Sequence, residues 1–242
     1  MLECKNLSFA VTSEDGKTKS ITDNVDLAIG DGKFVVITGP NGGGKSTLAK
    51  LIMGIEKPTA GRIFFDGTDI TDFSVTERAK AGISFAFQQP VRFKGITVLD
   101  LMRIAAKKEL SVSEACEYLS MVGLCAKDYI AREVDGSLSG GELKRIEIAT
   151  VIARGTKLSV FDEPEAGIDL WSFNSLIKVF ENMRENLGGT ILIISHQERI
   201  LRIADEIVLV RNGKIDRHAA RDEILPDLLG AADRVCEKIV KE

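Results

Sequence analysis

The fold of this chain is decided by residues 34–53, which read FVVITGPNGGGKSTLAKLIM. The apolar and β-branched run 34–38 predicts a buried strand, and residues 46–53 predict a helix that ends at Gly54. The glycine-rich residues 39–44 connect the two. Because strand, tight loop and helix in this order form a βα unit of a parallel sheet, the sequence predicts an α/β fold.

The loop inside this unit fits the phosphate-loop pattern G-x-x-x-x-G-K-[ST]. Its glycines let backbone N–H groups close around a β-phosphate at the helix N-terminus. Lys45 would neutralise the β- and γ-phosphate oxygens, and the Ser46 hydroxyl would ligate Mg²⁺. A glycine-rich turn without a ligand is the alternative, but the flanking strand and helix supply the context that a nucleotide site requires. The residues expected to bind nucleotide are Gly39, Pro40, Asn41, Gly42, Gly43, Gly44, Lys45, Ser46 and Thr47.

The composition argues against a nucleic-acid-binding protein. Among 242 residues, 32 Lys and Arg stand against 36 Asp and Glu, for a net charge of -4. Phosphate recognition leaves a basic footprint, so we expect no nucleic-acid partner. Aliphatic runs such as 191–194 fall far short of the ~20 residues that span a bilayer. We therefore expect a cytoplasmic chain without direct membrane insertion.

The four cysteines are predicted to be plain reduced thiols. No C-x-x-C pair occurs and the chain has only two histidines. The spacings typical of zinc or cluster ligands are therefore missing. The cysteines are Cys4, Cys116, Cys125 and Cys236.

Outward from the central unit, the pattern of elements changes twice along the chain. The first 35 residues alternate short apolar stretches with polar turns, which predicts antiparallel strands. The helix formers between Val91 and Leu138 predict a helical insert, with helices over 97–109 and 113–122 and Ser113 as an N-cap.

Strand patterns return after the insert. Residues 158–161 and 190–194 predict buried strands, with an amphipathic helix over 170–186 between them. An Asn212-Gly213 turn predicts a hairpin over 207–215. The C-terminal stretch is predicted to form one or two helices, broken near Pro226.

Two carboxylates follow the strand at 158–161. Asp162 can hold Mg²⁺, and Glu163 can orient or deprotonate an attacking water. On its own, an Asp-Glu pair at a strand end is usually a solvated loop. Downstream of a phosphate loop, the pair is the expected second half of the site.

The most specific segment is Leu138-Ser139-Gly140-Gly141-Glu142. A serine and two glycines that open a helix form an anion-binding end, where backbone N–H groups and the helix dipole favour a phosphate. A helix N-cap without a ligand is the alternative. Together with the phosphate loop and the Asp-Glu strand end, however, the segment resembles the signature of ABC-type ATPases, which reads LSGGQ or LSGGE.

The resemblance covers essentially the whole chain and implies a fold, an activity and a partner. It implies a P-loop ATPase core with a parallel or mixed sheet, an N-terminal antiparallel β layer and a helical insert lobe. A single domain over 1–242 would then have a catalytic lobe at 1–90 and 139–242 and a helical lobe at about 91–138. It also implies hydrolysis of ATP with Mg²⁺ in an ATP-dependent homodimer, in which the signature residues meet the other copy's nucleotide in trans. Those residues are Ser139, Gly140, Gly141 and Glu142.

The same resemblance assigns roles to single residues. Gln88 looks like the glutamine that links Mg²⁺ and the attacking water to the helical lobe, so it joins Ser46 and Asp162 as a metal ligand. Asp169 looks like the aspartate that lines the dimer seam, and His196 looks like the histidine that contacts the γ-phosphate. The chain departs from the family at Val11, where an aromatic residue commonly stacks on adenine. Val11 offers only an apolar face and Phe9 is a weak substitute, so base selectivity stays open.

Three kinds of ABC ATPase remain in view. Residues 85–91 with Gly95, 138–145 and 195–201 are similar to the SUF iron–sulfur cluster assembly ATPases (SufC-like). That similarity implies SUF scaffold partners (SufB/SufD-like). Residues 162–169 are less similar, because SUF proteins tend to carry serine-rich residues there. The alternatives are the ATPase subunit of an ABC membrane transporter and a low-turnover, nucleotide-gated binding module. The presence of Glu163 favours an enzyme.

Overall fold

The structure, a computed structural model, describes residues 1–13, 15–186 and 188–239. In chain order its elements are β1 (Leu2–Thr12), β2 (Thr18–Ile29), β3 (Phe34–Thr38), α1 (Lys45–Met53), β4 (Ala60–Phe65), β5 (Thr68–Asp69), α2 (Val75–Ala81), β6 (Ile83–Ala86), α3 (Val98–Ala106), α4 (Val112–Met121), α5 (Ala126–Tyr129), α6 (Gly140–Arg154), β7 (Leu158–Asp162), α7 (Leu170–Asn186), β8 (Thr190–Ile194), α8 (Glu198–Ile203), β9 (Glu206–Arg211), β10 (Lys214–Ala220) and α9 (Arg221–Ile239). They divide into two compact units. The first unit comprises residues 1–52, 56–72 and 194–242, and the second comprises 53–55 and 73–193.

The first unit contains the predicted antiparallel layer, a sheet with the strand order β2-β1-β4-β5. Leu2 and Cys4 of β1 are buried and alternate with exposed residues, as expected for a strand with one face on the core. The register then shifts between Cys4 and Leu7, where Asn6 adopts a left-handed backbone. This bulge returns Leu7 to the buried face.

The first unit also contains the central βα unit and the C-terminal hairpin. β3 pairs in parallel with β9, and β9 pairs antiparallel with β10, so these strands form a mixed arrangement. The hairpin turns at Asn212 and Gly213, whose φ angles are 49° and 76°. Positive φ at both positions is typical of the tight turn that an Asn-Gly pair favours. The predicted hairpin is therefore confirmed.

The second unit contains parallel strands and most of the helices. β6 runs parallel to β7, with Ala86 opposite Phe161, and every residue of β7 and β8 is buried. α3 and α4 pack against α6. α6 is the most deeply buried of these three helices. The helices of the predicted insert pack against its apolar side chains.

Three details differ from the sequence-based expectations. Ser111, not Ser113, caps α4, because Ser111 and Glu114 form a reciprocal capping box. α3 ends at Ala106 rather than Glu109, since Lys107 turns into the left-handed conformation. α9 continues through Pro226, where the expected break does not occur. Pro226 removes one backbone hydrogen bond from the second turn of α9, and the neighbouring Ile224 and Leu225 are buried and hold this part of the helix in place.

Among the residues that the structure describes, no helix combines the length and the apolarity needed to cross a bilayer. The α/β architecture expected from the sequence is confirmed. The predicted division into a lobe at 1–90 and 139–242 and a helical lobe at about 91–138 stays a prediction.

Candidate nucleotide-binding and catalytic site

The phosphate loop lies in the first unit between β3 and α1, and two of its glycines are required by their surroundings. Gly39 has φ 140°, and a Cβ there would lie 2.0 Å from the Val210 carbonyl oxygen. Gly44 has φ 101°, and its Cβ would lie 2.8 Å from the Ile21 carbonyl oxygen. A side chain at either position would therefore collide with backbone. β9 and β2 thus press against the inner side of the loop.

Backbone hydrogen bonds hold the loop in shape. Gly43 N–H donates to the Pro40 carbonyl at 3.1 Å, and Gly213 N–H donates to the Gly43 carbonyl at 2.9 Å. The outer side of the loop is different, because Asn41 and Gly42 are exposed and a Cβ at Gly42 would meet no atom within 4 Å. The loop is therefore braced from inside and open outside, at the N-terminus of α1, where a helix favours an anion.

Lys45 is almost fully buried at 6% exposure. Its ammonium donates to the Gly39 carbonyl at 2.8 Å and to the Pro40 carbonyl at 2.9 Å. An ammonium has three donors, so these carbonyls orient the group and leave capacity for an anion at the loop.

His196 belongs to the same unit as the phosphate loop. Ser195 N–H donates to the Ile37 carbonyl at 3.1 Å, two residues before Gly39. The buried Ser195 hydroxyl accepts from Gln197 N–H at 3.0 Å and fixes the turn that presents His196 to solvent. The structure therefore brings His196 and the beginning of the phosphate loop to the same strand edge, where ligands of α/β folds bind.

Gln88 and Glu163 are neighbours in the second unit because of the register in which β6 pairs with β7. Ala86 of β6 is opposite Phe161 of β7, so two residues further on, Gln88 and Glu163 are also neighbours. Gln88 Nε2 donates to Glu163 Oε2 at 2.5 Å. Asp162, between Phe161 and Glu163, is buried at 5% exposure.

The backbone of Glu163 is in the left-handed region with φ 44°. This conformation costs a residue with a side chain about 1–3 kcal/mol, and such residues cluster at functional sites. Ala166 N–H donates to the Glu163 carbonyl at 3.0 Å, which begins the turn toward Asp169. Asp169 is exposed, and its carbonyl accepts from Phe173 N–H at 2.9 Å in the first turn of α7.

The signature segment forms the beginning of α6. The Ser139 hydroxyl accepts from Glu142 N–H at 3.2 Å, and a Glu142 carboxylate oxygen accepts from Ser139 N–H at 2.6 Å. The Tyr129 hydroxyl donates to the other carboxylate oxygen at 2.5 Å. These contacts, that of Tyr129 first, hold the pKa of Glu142 below its usual value, so the carboxylate is ionised and turned toward its own chain.

The two signature glycines are not required by the fold. A Cβ at Gly140 or at Gly141 would meet no atom within 4 Å, and neither φ is positive. The space in front of these two glycines is therefore open among the described residues, and their role toward another molecule stays a prediction.

Lys144 and Glu147 in α6 were missed by the sequence reasoning. Lys144 is fully buried. Glu147 Oε1 accepts a hydrogen bond from the N–H of Phe87, the residue before Gln88. Burial raises the pKa of Glu147, an effect that Lys144 opposes. The signal was available, because Lys144 has the helical spacing of the apolar Ile148.

Other expectations concern single side chains. Val11 on β1 is 48% exposed and Phe9 is half-buried, so the adenine contact stays a prediction. Cys4, Cys116 and Cys125 are free thiols, and Cys236 lies outside the residues whose side chains the structure describes. The catalytic, nucleotide-binding and metal-binding roles expected above also stay predictions.

Comparisons with known proteins identify the family of this chain. A family model described as ABC transporter matches residues 22–166, more than half of the chain. An uncharacterized ABC transporter ATP-binding protein of Methanocaldococcus jannaschii is 39% identical over 214 residues, 85% of each chain. A probable ATP-dependent transporter of Pyropia yezoensis is 35% identical over 231 residues, 89% of each chain.

Solved structures of ABC cassettes share the fold of this chain. A dimeric ATP-binding cassette in a post-hydrolysis state, bound to ADP and Pi, is 26% identical with a TM-score of 0.81 and covers 91% of this chain and 99% of its own. The relatives compared carry transporter names, and none is named as an iron–sulfur assembly protein. The SUF-specific similarity therefore stays a prediction.

Proposed function

This chain belongs to the ABC transporter family of ATPases, and we propose on that premise that it is the cytoplasmic ATP-hydrolysing subunit of a membrane transporter. The observation that carries the proposal is the 2.5 Å hydrogen bond between Gln88 and Glu163. It joins the carboxylate expected to activate water to a segment, residues 87–93, that exposes apolar side chains to a partner. Hydrolysis and partner docking would then act on the same few residues.

In the nucleotide site, the open outer side of the phosphate loop would receive the phosphates of ATP, and Lys45 would neutralise their oxygens. Ser46, Asp162 and Gln88 offer the oxygen donors that Mg²⁺ prefers. No group of three or more His, Cys, Asp and Glu side chains in the described ranges could hold a metal ion by itself. The ion would therefore bind together with the nucleotide, where it supplies positive charge to the phosphates.

For hydrolysis, phosphoryl transfer needs a positioned water more than covalent chemistry. Glu163 would accept a hydrogen bond from that water, and Gln88 would hold the Glu163 carboxylate in place. His196, at the same strand edge as the phosphate loop, would contact the γ-phosphate.

Two copies of the chain would complete each site. The phosphate loop and the beginning of α6 each present N–H groups on one face, and neither encloses a γ-phosphate alone. In the proposed two-fold dimer, Ser139, Gly140 and Gly141 of one copy would meet the nucleotide of the other, with Asp169 at the seam. The open space at both glycines and the dimeric solved relative support this arrangement.

The partner would dock in an apolar groove of about 180 Å³ in the second unit. Phe87, Val91 and Phe93 line it and are 41%, 48% and 37% exposed. Apolar grooves of this kind receive the apolar face of a helix. A cytoplasmic helix of a membrane-spanning subunit fits the family.

SUF assembly is a second candidate, favoured by the resemblance at residues 85–91 and 195–201. Its partner would be a scaffold protein (SufB/SufD-like) in place of a membrane subunit. The two candidates share the ATPase cycle and differ in what occupies the groove.

One purification experiment separates the candidates. The tagged chain is isolated from detergent-solubilised membranes and from the aqueous extract of the same cells. The transporter proposal expects a multi-spanning subunit in the membrane fraction that stimulates ATP hydrolysis. A complex confined to the aqueous extract, containing iron–sulfur scaffold proteins, would overturn it in favour of SUF assembly. Negligible turnover even with the partner bound would favour the low-turnover binding module.

A groove variant supplies the internal control. Val91→Asp should weaken partner binding and leave ATP affinity unchanged, because it adds a charge inside the groove. Val112→Asp is the matched control, since Val112 is 52% exposed on α4, among residues that do not line the groove. Equal loss of the partner in both variants would place the docking surface elsewhere.

A further inference from the structure

α6 buries an ion pair that the proposed cycle does not yet use. Lys144 is 0% exposed, and its ammonium lies 3.2 Å from Glu147 Oε2, one helical turn away. A charge taken out of water is costly unless it is paired and hydrogen-bonded. A buried ion pair is nevertheless a weak source of stability, because apolar residues of similar volume often replace both partners without loss. The pair therefore calls for a role other than stability.

The pair holds both polar backbone groups of one residue. Glu147 Oε1 accepts from Phe87 N–H at 3.0 Å, and the Lys144 ammonium donates to the Phe87 carbonyl. Phe87 follows the last residue of β6, beyond the final pair of its ladder with β7. Past the strand end the ladder no longer supplies partners for these backbone groups, and here the side chains of α6 supply them.

This clamp acts directly on Gln88. The Phe87 carbonyl belongs to the same planar peptide unit as the Gln88 nitrogen, so fixing that carbonyl fixes where the Gln88 side chain begins. From there Gln88 Nε2 reaches Glu163 Oε2 at 2.5 Å. A continuous set of contacts thus runs from α6 through the Phe87 backbone and Gln88 to Glu163.

We propose that Lys144 and Glu147 are positioning residues for ATP hydrolysis: they lock the Phe87 backbone so that Gln88 holds Glu163 in place. The inference rests on the proposed roles of Gln88 and Glu163. It adds that α6, the helix whose first turn carries the signature segment, itself sets the geometry of the water-activating carboxylate. Movement of the beginning of α6 would be transmitted by the buried pair to Gln88.

The test uses variants that separate positioning from stability. Lys144→Met and Glu147→Leu each leave one buried charge unpaired, so both should lower stability and turnover. The double variant Lys144→Met/Glu147→Leu removes both charges and should regain most of the stability. If the pair positions Gln88, its kcat should nevertheless stay about 10- to 100-fold low, the scale expected when a catalytic group is misplaced. KM for ATP should change less than about 3-fold, since the phosphate loop is untouched.

Two further variants sharpen the comparison. Glu147→Gln keeps an oxygen that can accept from Phe87 N–H, so it should retain more of the kcat than Glu147→Leu. Arg154→Met is the matched control, because Arg154 is also a cation on α6 that donates to a backbone carbonyl, that of Ala79 at 2.7 Å. It should leave kcat near that of the unmodified chain.

A double variant with normal kcat would overturn the proposal, and so would equal kcat values for Glu147→Gln and Glu147→Leu. Failure of both the double variant and Glu147→Gln to fold would assign the pair to structure alone and overturn it too. Glu163→Gln is measured in parallel. If that variant keeps normal turnover, the proposed role of Glu163 has failed, whatever the pair does.

Discussion

Two glycines of the phosphate loop should respond to alanine in opposite ways. A Cβ at Gly39 would lie 2.0 Å from the Val210 carbonyl oxygen, at φ 140°, whereas a Cβ at Gly42 would meet nothing within 4 Å, at φ 75°. Gly42→Ala therefore carries only the cost of a left-handed backbone, about 1–2 kcal/mol. Gly39→Ala carries a backbone cost of about 1–3 kcal/mol and an overpacking cost of similar size, because the Val210 carbonyl must retreat by more than about 1 Å.

The expected loss for Gly39→Ala is thus about 2–6 kcal/mol, a large part of the roughly 5–15 kcal/mol that stabilises a typical protein. Urea unfolding followed by far-ultraviolet circular dichroism measures it. With m near 2–3 kcal/mol/M, we expect the midpoint to fall by about 1–2 M for Gly39→Ala and by less than about 1 M for Gly42→Ala.

Nucleotide affinity should show the reverse order once the loss of folded protein is taken into account. Gly42 faces the open side of the loop, so its new methyl group would stand where phosphate is expected, and Gly42→Ala should weaken binding of a fluorescent ATP analogue. Equal losses of stability in the two variants would refute the reasoning about the Val210 contact. Unchanged nucleotide affinity in Gly42→Ala would refute the assignment of the open side as the phosphate side.

Three more outcomes are expected. Glu163→Gln should lower kcat by about 10² to 10⁴ and change ATP affinity by no more than a few-fold, because the amide keeps the size of the side chain and loses only the charge that activates water. If Glu163→Gln kept normal turnover and His196→Ala lost it, the histidine would be the residue that activates water. Ser139→Ala should cost about 1 kcal/mol in thermal or urea unfolding, since it removes the cap of α6, whereas Ser137→Ala in the preceding turn should cost far less. The hydrogen bond from the Ser111 backbone, and then that from Lys108, lower the pKa of Glu114 from its ordinary 4.5 to about 2. The stability that the ionised Glu114 contributes is therefore present above pH 4.5 and is lost as the pH falls toward 2. In Glu114→Gln the midpoint of unfolding should depend less on pH over that window, and an unchanged pH profile would contradict the assignment.

Local patterns in the sequence predicted the elements that depend on neighbouring residues. The strand, loop and helix over 34–53 are encoded by one continuous stretch of sequence. The predicted helix over 170–186 matches α7 at both ends. The expectation of Ser113 as the cap of α4 is wrong, because the Ser111-x-x-Glu114 capping pattern begins the helix two residues earlier. That pattern recurs at Ser74 and Ser139 and was readable in the sequence.

The parts that could not be predicted depend on register and packing. The contact of Gln88 with Glu163 follows from Ala86 lying opposite Phe161, and a single sequence does not contain that pairing. Lys144 shares the helical spacing of the apolar Ile148, but charged residues in a helix are usually solvated, and only the packing of α6 shows that Lys144 is buried beside Glu147. The signature segment, in contrast, was recognisable because its residues stand next to one another.

The order of the segments along the chain determines when the phosphate loop can fold. Its inner side is formed by Val210 and Gly213, which follow Gly39 by most of the chain's length, and β3 pairs with the equally distant β9. Residues 73–193 form their own unit from one nearly continuous stretch and can condense while the ribosome is still adding the remainder. The phosphate loop folds only after the hairpin of β9 and β10 has formed, because contacts of such long sequence separation form late. A nascent chain that stops before residue 206 would carry a complete signature helix and a phosphate loop that lacks the strand and the turn forming its inner side.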